Sequence, residues 1–185
     1  SHKIAGFLEG KPGMRVVDAC AGAGANTLHL AAMMENKGQI IAMDIHGWKL
    51  TELKRRAKRA GAHNIETREI TDTKVIKRLH EKADRLLIDA PCSGLGVLKR
   101  NPDSKWKIDQ DFIDRIKKEQ QQILQDYSKI IRKGGKLVYA TCSILPSENN
   151  EQVAEFLKNN PDFKLVKDEK VMPSSGFDGF YMALI

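Results

Sequence analysis

Cysteine is scarce in this 185-residue chain. There are three, Cys20, Cys92 and Cys142, an odd number with no CxxC pair. That argues against a disulfide framework or a paired-cysteine zinc site, and it points to a reducing compartment. The five histidines are scattered without ligand spacing, so no metal is expected. No apolar run approaches the length a membrane span needs, and no secretory leader is visible, so a cytoplasmic protein without a membrane partner is expected. A GxxxxGK[ST] loop for nucleotide phosphates is missing too. Without repeats, low-complexity tracts or linkers, a single domain over residues 1–185, acting as a monomer, is the simplest expectation.

Charge is present in quantity. Charged residues make up 30% of the chain, and cations outnumber anions to give a formal +7 and a pI near 9.3. A basic surface fits a polyanionic partner, because neutralising phosphates drives much of nucleic-acid affinity. A merely solvated basic protein fits the same number.

Apolar β-type runs alternate with longer helical stretches, the pattern of βαβ units around a mostly parallel sheet. Strands are expected at 15–19, 39–44, 65–70, 83–89, 136–141, 163–167 and 180–184. Helices are expected at 27–35, 47–60, around 75–79, at 109–131 and at 147–159. In 47–60, Leu50, Leu53, Ala57 and Ala60 share one face, and Lys54, Arg55, Arg56, Lys58 and Arg59 occupy the other. The fold class is α/β, with seven strands, helices on both faces and an antiparallel final strand.

The segment Asp18-Ala19-Cys20-Ala21-Gly22-Ala23-Gly24-Ala25-Asn26-Thr27 follows the first strand and opens a helix. Small residues there let the backbone approach a ligand at the carboxyl end of the sheet. Asp44 ends the next strand, where a carboxylate can take both ribose hydroxyls of a nucleoside; capping the nearby helix is the alternative. Asp72, past the third strand, could meet an adenine amino group or cap the helix around residue 75. The candidate cofactor site is therefore Cys20, Ala21, Gly22, Ala23, Gly24, Ala25, Asn26, Asp44 and Asp72, with Asp89 at the end of the fourth strand. Cys92 and Cys142 lie in turns among Pro, Ser, Gly and Thr, where a thiol can be exposed and activated.

Asp89-Ala90-Pro91-Cys92-Ser93-Gly94 and Thr141-Cys142-Ser143 carry a specific resemblance. With Asp18–Thr27, Arg100-Asn101-Pro102-Asp103, Lys105-Trp106, the trio Pro146, Glu148 and Asn149, and Asp178-Gly179-Phe180, the chain resembles the Sun/Nop2 family of RNA cytosine-C5 methyltransferases over nearly its whole length. The resemblance implies a class I, Rossmann-like methyltransferase that uses S-adenosyl-L-methionine on rRNA or tRNA. It implies Cys142 as the nucleophile that adds to cytosine C6, Cys92 as the group assisting release, and Asp89 as the partner of the base edge. Family members usually carry an upstream motif and an RNA-binding region, so a fragment is expected here. The family loop usually reads Asp-x-Cys-Ala-x-Pro-Gly-Gly-Lys-Thr; this chain has Ala23 for Pro, Ala25 for Gly and Asn26 for Lys. The missing cation motivates a second reading, a catalytically weak RNA-binding or assembly factor on the same fold.

Overall fold

A computed structural model of the chain describes residues 2–97, 108–174 and 178–185. The segment Arg100–Asp103 and the pair Lys105-Trp106 lie outside them.

Seven strands form one sheet: β1 (Arg15–Asp18), β2 (Gln39–Asp44), β3 (Ile65–Glu69), β4 (Ala83–Asp89), β5 (Ile131–Thr141), β6 (Lys167–Val171) and β7 (Phe180–Leu184), in the order β3-β2-β1-β4-β5-β7-β6. The pairs β1–β2, β1–β4 and β2–β3 are parallel, and β6–β7 is antiparallel. The helices are α1 (His2–Phe7), α2 (Ala25–Met33), α3 (Gly47–Ala60), α4 (Thr73–Lys77), α5 (Gln110–Tyr127) and α6 (Asn150–Asn159). Among the described residues, no helix is long and apolar enough to cross a membrane, and no cluster of residues could hold a metal ion.

Packing divides the chain into two compact units. The first runs to Asp89 and adds Asp126–Val138. Its middle strands are buried on both faces, and Val16, Val17, Ile40, Leu86, Leu87 and Ile88 have no exposed surface. Each such side chain contributes roughly 1.5–3 kcal/mol of hydrophobic stabilisation. The apolar face of α3 closes one side of this core: Leu50 and Leu53 pack with Ala21 and Ala42, and Ile65 joins them. Ala60, expected on that face, is exposed in the last turn. Strand order reverses direction between β1 and β4. Their carboxyl ends, Asp18 and Asp89, are where an open α/β sheet leaves a ligand crevice.

The second unit is Ala90–Gln125 with Tyr139–Ile185. Tyr139, Phe156 and Tyr181 are its largest fully buried side chains. The 3-10 turn Leu95–Val97 is tied by two backbone bonds: the Gly96 amide donates to the Cys142 carbonyl at 2.7 Å, and the Gly179 amide donates to the Gly96 carbonyl at 2.7 Å.

Three expectations need correction. The strand expected at 163–167 lies instead at Lys167–Val171. Phe163 turns back, its amide donating to the Asn160 carbonyl at 3.0 Å, and its ring packs on Phe156 with centroids 5.1 Å apart. Burial on α6 outweighs its strand propensity. The long helix ends at Tyr127 rather than 131; a 3-10 turn, Ser128–Ile130, leads straight into β5, which begins at Ile131 rather than 136. Lys133-Gly134-Gly135 does not interrupt that strand, because Gly134 adopts φ 81° within it. Helix α1 was not anticipated; its buried Ile4 and Ala5, with Leu8 beyond, form a short apolar face.

Candidate active site

In the first unit, polar bonds organise the loop between β1 and α2. The Gly22 amide donates to Asp44 Oδ2 at 2.8 Å, and the His46 amide donates to Asp44 Oδ1 at 2.8 Å. Asp44 therefore locks the glycine-rich loop onto the end of β2. The N-cap of α3 is His46, not Asp44. Loop position is set further by the Ala21 amide on the Met43 carbonyl at 2.8 Å and the Ala19 amide on the Leu87 carbonyl at 2.9 Å. Ala21 and Gly24 are buried, Cys20, Gly22 and Ala23 half-buried, and Ala25 exposed. Asp72 sits apart from these bonds: its Oδ1 accepts from the Lys74 amide at 2.8 Å and caps α4.

Asn26 is the residue that joins loop to strand end. Its Nδ2 donates to Asp89 Oδ2 at 3.0 Å. Its Oδ1 is buried and has no hydrogen-bond partner among the described residues, an acceptor left for a ligand. Burial pushes the Asp89 carboxyl up to about 6, against a smaller downward pull from Asn26. Asp18 lies deeper. Burial pushes it up to about 7, although the Thr27 hydroxyl donates to its Oδ2 at 2.7 Å, and the carboxylates of Asp89 and Asp44 raise it further.

The second unit holds the two cysteines together. The Cys142 amide donates to Cys92 Sγ at 3.3 Å. The Cys92 thiol is held well above the ordinary thiol range, first by its hydrogen bond to the Cys142 side chain, then by burial. None of the three cysteines is in a disulfide.

Sequence reasoning assigned no role to the group that holds both cysteine turns. Glu148 is fully buried, and its Oε1 accepts from the Ser93 amide at 2.7 Å and from Gln120 Nε2 at 3.2 Å. Its Oε2 accepts from the Ser93 hydroxyl at 2.7 Å and from the Ser143 hydroxyl. Ser93 follows Cys92 and Ser143 follows Cys142, so one carboxylate fixes both turns. Asn149 continues the clamp: its Nδ2 donates to the Ser143 carbonyl at 2.9 Å, and its Oδ1 accepts from the Thr141 hydroxyl. The signal was present in the sequence, an acidic residue and an amide soon after Thr-Cys-Ser, but nothing local shows that they turn inward.

The family model for the 16S rRNA methyltransferase RsmB/F matches residues 5–184. The probable ribosomal RNA small subunit methyltransferase B of Bacillus subtilis is 37% identical over 165 residues, covering 89% of this chain and 37% of that protein. The tRNA (cytosine(72)-C(5))-methyltransferase NSUN6 of Mus musculus is 33% identical over 196 residues, covering 100% of this chain and 40% of that protein. The crystal structure of NSun6 from Pyrococcus horikoshii with SFG superposes with a TM-score of 0.87 at 29% identity, over 99% of this chain and 50% of that one. The chain thus spans less than half the length of the curated relatives it matches. With the model match running almost end to end, this chain belongs to the RsmB/F family of 16S rRNA methyltransferases.

Proposed function

We propose that the chain is the S-adenosyl-L-methionine-dependent part of a cytoplasmic RNA cytosine-C5 methyltransferase acting as a monomer on rRNA or tRNA. The observation that carries it is the contact between Cys92 and Cys142, two thiols from separate turns held by one buried glutamate.

The loop between β1 and α2 suits an adenosyl cofactor. Asp44, at the end of β2, is the candidate for the ribose hydroxyls, the small residues of the Cys20–Asn26 loop allow the backbone's close approach, and the buried Asn26 Oδ1 has no partner among the described residues. Asp72, beyond β3, is the candidate for the adenine amino group. When bound, the cofactor supplies an electrophilic methyl group.

Cytosine C5 is a poor nucleophile until the ring is activated. The Cys142 thiolate adds to C6, forming an Sγ–C6 bond and making C5 enamine-like. Asp89 hydrogen-bonds the N3/N4 edge and offsets the charge developing in the ring. C5 would then take the methyl group, the demethylated cofactor departing, and a base would accept the C5 proton as the Sγ–C6 bond breaks to restore the aromatic ring. Cys92 is the candidate for that base: once Cys142 Sγ is bonded to C6, the hydrogen bond that holds the Cys92 thiol above its ordinary range is gone, and as a thiolate it can take the C5 proton. A target base in a helix must first be unstacked.

Bisulfite sequencing of cellular RNA, with and without the intact gene, tests the reading. A cytosine protected only when the gene is present is the expected result; no gene-dependent protected position sinks it. The second reading, an RNA-binding or assembly factor, is favoured by one observation, the neutral Asn26 against Asp89. Verified substrate RNA that is bound but never methylated would select it.

A further inference from the structure

Helix α3 carries most of the chain's excess charge. Its 14 residues hold six cations against the single carboxylate Glu52, net +5 in a chain whose formal total is +7. The cations are segregated. Leu50, Leu53 and Ala57 are buried, whereas Lys54, Arg55, Arg56, Lys58 and Arg59 are exposed. Three of the arginines, Arg55, Arg56 and Arg59, share Glu52 at 3.4–3.7 Å. Exposed pairs of this kind contribute little to stability and exchange readily for another anion. One carboxylate also leaves most of the positive charge uncompensated.

The same face presents an aromatic ring to solvent. Trp48 is 71% exposed, next to the ring of His46 at 6.2 Å, with the Lys49 ammonium 5.5 Å from its centroid. At 3.6 residues per turn, Trp48, Arg55 and Arg59 fall within about 40° of one another, opposite the buried stripe. The helix is about 21 Å long, enough to run beside several phosphates. An exposed tryptophan in line with guanidinium groups offers both contacts that unpaired RNA uses: a stacking face and phosphate neutralisation.

We propose that the outer face of α3, from Trp48 to Arg59, is a docking strip for single-stranded RNA, with Trp48 stacking on an unpaired base and Arg55, Lys58 and Arg59 neutralising its backbone. The strip assigns part of RNA recognition to the catalytic domain itself, and it rests on the reading that the substrate is RNA. An anionic membrane surface is the competing partner for a basic helix, but the large exposed apolar side chains here are only Ile45 and Trp48 at its start, while the Leu50, Leu53 and Ala57 stripe is buried, which leaves no continuous apolar face along the helix to insert.

The test uses the full-length protein and a fluorescein-labelled 20-nucleotide single-stranded RNA, titrated by anisotropy from 50 to 200 mM salt. R55Q/K58Q/R59Q is expected to lose about tenfold or more in affinity and to flatten the salt slope by about 2, the value for three lost single-strand phosphate contacts. Trp48→Ala is expected to lose about fivefold or more with the slope unchanged. Both variants should keep wild-type helicity and wild-type S-adenosylmethionine affinity. Unchanged RNA affinity and slope in both variants overturns the strip. So does absence of RNA binding by the wild type, or a triple variant that loses binding only to phosphatidylglycerol vesicles. The two readings separate cleanly. Methyl transfer to RNA by a wild type that the triple variant equals at every salt concentration sinks the strip alone. RNA binding lost in the variants of a protein that transfers no methyl group sinks the methylation reading alone.

Discussion

At the scale of residues, the proposed chemistry divides between the two cysteines. On the proposed mechanism attack at C6 needs a thiolate, which Cys142 supplies, beside a Cys92 thiol held well above the ordinary range by its hydrogen bond to Cys142 and by burial. Cys142→Ala should abolish the covalent protein–RNA species seen on denaturing electrophoresis while leaving cofactor affinity nearly intact. Cys92→Ala should accumulate that species, since release and not addition is impaired; the opposite pattern would exchange the two roles. Asn26 sets a second test. Asp89 is pushed up to about 6 because burial disfavours its charge and Asn26 offers only a neutral donor. The pH profile of kcat/KM should therefore bend near pH 6. Asn26→Lys places an ammonium beside Asp89, favours the carboxylate, and should move the bend to lower pH with the fold intact. A bend that stays in place would detach Asp89 from the titration. The sequence showed Asn26 as a lost cation; only the fold shows that its amide still reaches the same carboxylate.

At the scale of elements, the two cysteine turns are held by a buried carboxylate and amides from other segments. Glu148 answers four donors from three residues, Ser93, Ser143 and Gln120. Glu148→Gln replaces one acceptor oxygen by an NH2 group, so at least one buried donor loses its partner, at about 1–3 kcal/mol. Thermal unfolding should show that loss, and methyl transfer should fall through kcat with the cofactor's affinity unchanged. An unaltered kcat would reduce Glu148 to a structural residue. The 3-10 turn after Cys92 is equally constrained. A Cβ on Gly96 would lie 2.0 Å from the Gly179 carbonyl oxygen and 2.5 Å from that of Cys142. Backbone atoms cannot yield as a side-chain tip can, so Gly96→Ala should destabilise by about 1–3 kcal/mol and misplace Cys142. Denaturant unfolding and adduct yield should fall together. The glycine was legible in the Pro-Cys-Ser-Gly-Leu-Gly run, but its crowding was not, because Cys142 and Gly179 are remote in sequence.

At the scale of the whole molecule, the buried carboxylates make stability depend on pH. Asp18 and Asp89 have folded values near 7 and near 6, raised from 3.8 in both cases. Between pH 4 and 7 the folded state binds more protons than the unfolded one, so the contribution of these groups to stability falls as pH rises through that window. For Asp18, fully buried, the three-unit shift corresponds to roughly 4 kcal/mol. Asp18→Asn mimics the protonated acid. It should raise Tm strongly at pH 8, less at pH 5 and little below pH 4, as thermal melts at the three pH values will show; equal effects at all three would mean that the charge is not the cause. The sequence by itself determined the fold class, since the alternation of β-type runs and amphipathic helices is written in the spacing of apolar residues. It also determined the family, since the two cysteine segments are contiguous motifs. The bounds of helix α3 were readable in the sequence, and so was its buried face apart from Ala60, because Leu50, Leu53 and Ala57 recur at the helical period. What only the tertiary structure decided are the contacts between distant segments: Asn26 with Asp89, Glu148 with both cysteine turns, and Phe163 folded onto α6 rather than extended in a strand. Local propensity fixes which conformation a segment prefers. Which buried polar group meets which partner is settled only when the chain closes and every donor and acceptor shut away from water must be satisfied.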